Sequence, residues 1–266
     1  PVVPRRPRPQ QSPTSRLGLR RHALDIGPEI YHFKYEEPGL MEEKGMFYGV
    51  RFGFTARDWV TASSRKSPPS GGGMFRAEGR LAFGRVDYDG MLAGGTPYKA
   101  NGIDDFAGEG RLLLGRDWLT TGTLSTMYTG VGYRYLNDNL ATDPAGYERE
   151  SNYLYIPLGY NLDIGRDVGW SFGFGAEFDV FVFGRQESHL SDFNPALQDI
   201  DNHQTSGYGY RASVRLTHKS KAAIFTIEPF FRYWDIDKSH HDEIYDAFVE
   251  PANETTEWGI QLSWMF

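Results

Sequence analysis

The chain has 266 residues, among them 31 glycines, 15 prolines and no cysteine, with 15% aromatic and 24% charged residues and a net charge of −7. Without cysteine there is no disulfide framework, no thiol chemistry and no thiolate metal site. No apolar run reaches the roughly 18 residues of a membrane-spanning helix, no heptad repeat is sustained, and the aromatic content is too high for a disordered chain.

Residues 1–21 carry Arg5, Arg6, Arg8, Arg16, Arg20 and Arg21, no acid, and Pro1, Pro4, Pro7, Pro9 and Pro13. Such prolines favour extended polyproline II and exclude helix. Two readings stay open: a solvated leader, or a peptide that binds a partner or enters a lumen through Arg5, Arg6, Arg8, Pro4, Pro7 and Pro9. No signal peptide is visible; a mature exported chain has already lost one. Residues 22–266 carry a net charge of −13. That body lacks the basic footprint of nucleic-acid binding.

From residue 22 the dominant hydropathy period is two, which specifies strand rather than helix. The spacing predicts ten strands near 22–36, 44–57, 74–89, 105–117, 122–136, 151–164, 169–185, 205–218, 222–236 and 254–266. In the first, Leu24 and Ile26 alternate with Asp25 and Gly27, and the phase changes after Pro28, which predicts a bulge. In the second, Met46, Tyr48, Val50, Phe52 and Phe54 oppose Gly49, Arg51 and Gly53; in the third, Phe75, Ala77, Leu81 and Phe83 oppose Arg76, Glu78 and Arg80. Leu112 and Leu114 oppose Glu109 and Arg111, and Tyr133 and Tyr135 oppose Arg134. Leu154, Ile156 and Leu158 oppose Tyr155, Asn161 and Asp163. The clearest case is the seventh, where Trp170, Phe172, Phe174, Ala176, Phe178, Val180 and Val182 face away from Gly173, Gly175, Glu177 and Asp179. Arg211 and Arg215, then Glu228 and Arg232, continue the polar face. The last strand sets Trp258, Ile260, Leu262, Trp264 and Phe266 on one side. Short connections (117–121, 165–168, 218–221) alternate with long polar ones (90–104, 137–150, 186–204, 237–253); the 37–43 turn is shorter and the 58–73 connection longer than its set.

Alternation alone fits a soluble or a membrane barrel; the difference is which face is charged. Three features favour the membrane. Aromatics crowd the strand ends of the apolar face (Tyr133, Tyr160, Trp170, Tyr208, Tyr233, Trp258, Trp264), as interfacial rings do. The long strands exceed the roughly 9–11 residues needed to cross a bilayer. The chain stops on the in-phase aromatic Phe266. The expected fold is therefore all-β: a closed antiparallel transmembrane β-barrel of about ten strands, an up-and-down meander.

The stretch Trp258, Ile260, Leu262, Trp264, Phe266 resembles the C-terminal assembly signal of bacterial outer-membrane β-barrels, and 22–266 resembles them in strand and loop rhythm. The resemblance implies a Gram-negative outer membrane, periplasmic termini, extracellular long loops, contact with lipid and lipopolysaccharide, and delivery by the barrel-assembly machinery. It carries no specific activity.

Ten strands make a narrow barrel. Arg51, Arg76, Glu78, Arg80, Glu109, Arg111, Arg134, Glu177, Asp179, Arg211, Arg215, Glu228 and Arg232 are expected to point inward, with Asp25, Glu29 and Glu257 bringing the acids to the number of the arginines. Near-balance suits a mutually paired, plugged interior, since an unpaired buried charge is costly; a thin charged pore is the alternative. An omptin-like protease would use Asp87 and Asp89 with His189 and Asp192, although the omptin motifs are absent. His240, His241, Asp242 and Asp246, and separately Asp199, Asp201 and His203, offer metal-type side chains without a calcium-loop pattern. No catalytic, cofactor or metal residue is assigned. The expected role is structural or interactive, through the loops or the basic tail.

Overall fold

A computed structural model describes residues 20–59, 71–91, 95–120, 122–142, 146–166, 168–220, 223–239 and 249–266. The strands are β1 (His22–Glu37), β2 (Met41–Trp59), β3 (Gly71–Met91), β4 (Pro97–Thr120), β5 (Thr123–Asn139), β6 (Glu148–Ile164), β7 (Gly169–Ser188), β8 (Ile200–Gln204), β9 (Gly207–Lys219), β10 (Ile224–Ile236) and β11 (Asn253–Met265). Each pairs antiparallel with the next in sequence, except that β7 pairs with both β9 and the short β8. β11 returns to β1, from Asp25↔Met265 to Glu36↔Glu254, and closes the sheet. The Phe266 N–H donates to the Leu24 carbonyl at 2.8 Å at that seam. The ten expected strands form the wall; β8 is an addition above it. Closure leaves the ten-stranded wall without an open edge within the belt, the condition for a sheet in hydrocarbon.

Outward positions form one belt. Leu24, Ile26 and Ile30 on β1 lie beside Met46, Tyr48, Val50, Phe52 and Phe54 on β2, Phe75, Leu81 and Phe83 on β3, Leu112 and Leu114 on β4, and so round to Trp258, Ile260 and Trp264 on β11, all large apolar side chains left exposed. Eight residue steps, Phe75 to Phe83 or Trp258 to Phe266, run about 26 Å along a strand. After a tilt of about 40° that is a rise of about 20 Å, about four-fifths of the apolar band of about 25 Å on membrane barrels.

No bulge occurs in β1. Its pairing with β2 runs unbroken from His22↔Ala56 to Glu37↔Met41, and burial keeps strict alternation along the strand. What changes after Pro28 is the content of the two faces. The inward residues pass from Asp25 and Glu29 to Tyr31, Phe33 and Tyr35, while the outward ones pass from Leu24, Ile26 and Ile30 to His32, Lys34 and Glu36. The same inversion occurs on β3, where outward Phe83 gives way to Arg85, Asp87 and Asp89 and inward Arg80 to Ala82 and Val86. The wall is thus charged-in and apolar-out within the belt; above it the outer face is charged, and aromatic residues with one buried acidic group fill the inside.

Strands therefore continue through segments that look like loops. Residues 97–104 belong to β4, 137–139 to β5 and 148–150 to β6. Two real irregularities sit here. Gly102 of β4 is unpaired between Val86↔Ile103 and Asp87↔Asn101. It takes φ +72°, a conformation that favours glycine, and its N–H reaches Asp87 Oδ1 at 3.1 Å. On β7 the pairing skips Val182, so Val182 and Phe183 both face out and the inward parity shifts to Gly184 and Gln186.

Candidate functional site: the barrel interior

All thirteen charged residues singled out above project into the interior, and Asp25, Glu29 and Glu257 join them. The lattice has several hubs. Asp25 of β1 takes Arg51 at 3.4 Å and Arg76 at 3.1 Å. Glu78 takes Arg76 at 2.5 Å, Arg111 at 3.2 Å and Arg51 at 3.8 Å. Arg211 of β9 holds Asp179 at 2.8 Å, Glu177 at 3.1 Å and Glu109. Arg111 reaches Glu177 from the opposite wall. Glu257 of β11 collects Arg80 at 3.0 Å, Arg134 at 3.3 Å and Arg232 at 2.9 Å, and Glu29 takes Arg232 at 3.2 Å and Arg80 at 3.5 Å. Arg215 reaches Asp163 at 3.2 Å, Glu228 at 3.8 Å and the Phe174 carbonyl at 3.0 Å.

Arginine suits this work because its planar head donates in several directions at once. Aromatic residues finish the packing. Tyr128 donates to Glu177 at 2.7 Å and Tyr155 to Glu109. The Trp234 ring lies 5.8 Å from both Arg134 and Arg211, and the Tyr31 ring 5.6 Å from Arg80. Glycine makes room: a Cβ on Gly132 would stand 2.1 Å from the Tyr155 ring.

Above the lattice the interior is plugged. Tyr31, Phe33, Phe47, Ala82, Val86, Ile103, Ala107 and Leu136 form one buried cluster, and Tyr153, Tyr155, Phe181, Trp234 and Ile236 a second. Toward the opposite end, where the two termini of the wall lie, a cavity of about 280 Å³ remains, bordered by Arg57, Arg76, Asp163 and Arg215. The lumen is open below and filled above.

The other candidates do not assemble. Asp87 and Asp89 lie on the outer face of β3, occupied by the Gly102 N–H and by Lys99 at 2.5 Å. His189 and Asp192 follow β7, where His189 faces Asp199 at 3.6 Å and Asp192 accepts from the Glu148 N–H at 3.2 Å. Four strand spacings of about 4.8 Å separate the two pairs, so they share no substrate position. Asp201 is spent on Arg185 at 2.8 Å, and the His203 ring packs against that of Phe183 at a 43° tilt. Residues His240, His241, Asp242 and Asp246, and tail residues Arg5, Arg6, Arg8, Pro4, Pro7 and Pro9, lie outside the described residues. Trp258, Ile260, Leu262, Trp264 and Phe266 line the outer face of β11 next to β1.

One group escaped the sequence reading. Glu37, Glu43, Asp105, Asp138 and Glu250 are buried beside Arg149 above the belt. The signal was parity: Glu43 is in step with Phe47 and Arg51, Asp105 with Glu109, Asp138 with Arg134.

No protein-family model and no curated protein matches the chain. Among solved structures, it is similar to Neisserial surface protein A (9% identity, 91% of this chain and 97% of that one, TM-score 0.36). It is also similar to Ail of Yersinia pestis (10%, 93% and 100%, 0.32) and to the translocator domain of autotransporter NalP from Neisseria meningitidis (10%, 93% and 89%, 0.39). Likeness at this level transfers no activity. The architecture rests on the chain's own ladder and faces: a closed, ten-stranded antiparallel barrel of the transmembrane type.

Proposed function

We propose that the protein is a bacterial outer-membrane barrel with a structural or interaction role, its termini on the periplasmic side and its long loops outside. The observation that carries this is the interior. An ion-paired lattice at belt depth lies beneath buried aromatic clusters, which suits a rigid wall better than a passage. The contact surfaces are then the polar loops, the charged outer wall above the belt and the basic tail 1–21, with lipid and lipopolysaccharide around the belt.

A detergent pull-down from native outer membranes tests the reading, comparing the full chain with a 22–266 truncation. A stoichiometric partner that depends on the tail or on the loops is the expected result; none with either chain removes the interaction role. Planar-bilayer recording tests the alternative of a narrow pore, for which the cavity near Arg76 and Arg215 is the only support. The expected record is silent, and discrete steps altered by Arg76 or Arg211 replacement would replace the proposal with a channel.

A further inference from the structure

Within the aromatic upper half of the lumen, three carboxylates from neighbouring strands converge. Glu43, Asp105 and Asp138 each place an oxygen within 4.8 Å of the others'. Their exposures are 1%, 2% and 3%. Asp105 and Asp138 are direct cross-strand partners, where like charges destabilise a sheet. Glu37 and Glu250 are buried close by, through their shared neighbour Arg149.

Against these five acids, Arg149 is the cation supplied among the described residues; it reaches Asp138 at 3.0 Å, Glu37 at 2.5 Å and Glu43 at 3.8 Å. Lys34, Lys44, Arg85 and Lys99 sit on the outer face, paired to Glu42, Asp104 or Asp89. The connections of this rim that lie outside the described residues contain no lysine or arginine, only His240 and His241. Buried like charges at this spacing cannot all stay ionised without a neutralising group.

A second observation concerns the oxygens themselves. Neither carboxylate oxygen of Asp105 has a formed hydrogen bond, nor has Glu43 Oε1 or Asp138 Oδ1; the Asn139 N–H turned toward Asp105 helps only in part. Elsewhere in the lumen carboxylates such as Glu257 take up to three arginines. Here three carboxylates converge, and four of their oxygens lack donors.

We infer that Glu43, Asp105 and Asp138 form a binding site for a divalent cation, with calcium the best fit. The donors are all hard oxygens, the set that suits calcium and magnesium. Calcium takes six to eight oxygens in flexible geometry, whereas magnesium demands a near-ideal octahedron and keeps several of its waters; three carboxylates held dry on three strands suit calcium. The ion would bridge β2, β4 and β5 above the membrane belt and leave Arg149 to Glu37 and Glu250.

The test uses the full chain refolded in lipopolysaccharide-free detergent micelles, with the folded state read by heat-modifiable gel migration. Calorimetric titration with CaCl₂ is expected to show one site of about 0.1–1 mM affinity, as in extracellular calcium modules, and a higher melting temperature in calcium than in EDTA. Asp105→Asn is expected to weaken binding at least tenfold while raising stability in EDTA, because it removes repulsion. Glu187→Gln, in the partly exposed Glu150–Glu187–His189 group, is expected to change neither. Glu43→Gln serves if Asp105→Asn does not fold. If neither folds, the Glu187→Gln protein titrated with Tb³⁺ decides: tyrosine-sensitised emission displaced by calcium supports the site, and its absence overturns it. Wild-type protein indifferent to calcium overturns the proposal in favour of a proton shared between Glu43 and Asp138. Calcium binding untouched by Asp105→Asn and Glu43→Gln overturns it by placing the ion elsewhere.

Discussion

Replacing Glu257 with glutamine removes one negative charge from the point where three arginines meet. Arg80, Arg134 and Arg232 approach it from β3, β5 and β10 at 3.0, 3.3 and 2.9 Å, and Glu257 itself is 0% exposed. Arg80 and Arg232 keep Glu29. Arg134, 1% exposed, has no other ion pair among the described residues, and its Nε and Nη1 have no partner. Glu257→Gln therefore strands one buried guanidinium and leaves two others under-compensated. Breaking a buried pair from one side costs about 3–5 kcal/mol; the amide still accepts one hydrogen bond, so a loss of about 3 kcal/mol is expected. Arg134→Met should cost less, about 1–2 kcal/mol, because Glu257 keeps two arginines and the methionine fills the space between Tyr153 and Trp234. The double variant should recover at least about 1.5 kcal/mol relative to the sum, as interacting sites do in a double-mutant cycle. Urea unfolding in detergent, followed by tryptophan emission and by heat-modifiable migration, measures all three. A Glu257→Gln loss below about 1 kcal/mol, with additive singles, would mean that water reaches the hub and that the lattice is not a dry load-bearing element.

Leu81→Arg, in the middle of the outward belt, should cost about 2–4 kcal/mol, whereas Asn137→Arg, on the outer face above it, should cost well under about 1 kcal/mol; equal costs in a lipid-bilayer unfolding assay would misplace the belt. Gly132→Ala should cost about 2 kcal/mol, because the Tyr155 ring 2.1 Å from the new Cβ is pinned by Glu109 and Arg211 and overpacking has that scale. Gly79→Ala should cost less in the same unfolding assay, since the obstructing Phe52 ring is on the lipid face and free to turn away. Burial pushes Glu250 up to about 8, with Arg149 opposing and Glu37 reinforcing. The folded chain then holds a proton that the unfolded chain releases near pH 4.5, so this contribution is complete below that pH and is lost as pH rises through about 8. In EDTA the unfolding free energy should fall from pH 5 to pH 9 by up to about 4 kcal/mol, and Glu250→Gln should flatten that slope.

The belt was legible because hydropathy there has one sign per face. Trp170 to Val182 and Trp258 to Phe266 could be read residue by residue, and the inward arginines and acids fell out of the same parity. The upper third was not legible, because the sign reverses. Tyr31, Phe33 and Tyr35 looked like a slipped register, although β1 repeats without interruption, and Pro97–Asp104 looked like a polar loop, although it is strand broken only at Gly102. Residues such as Glu43, Asp105 and Asp138 were hidden by that assumption, since parity was followed only as far as the apolar residues ran. β8 could not be read either: its alternation lasts five residues and pairs only with the end of β7. Which carboxylate meets which arginine depends on distances across the lumen, and no spacing along the chain encodes these.

The reversal of sign along each strand also acts as a waterline. Shifting the barrel along its axis by one two-residue step, about 5 Å at a tilt of about 40°, would carry Lys44, Arg85, Asp104 and Asn137 into hydrocarbon on neighbouring strands together. Shifting it the other way would lift Met46, Phe83 and Tyr133 into water. Every strand votes for the same depth, so the molecule needs no separate anchor to hold its height in the bilayer. A partner that docks on the upper wall would meet a surface presented at a fixed elevation.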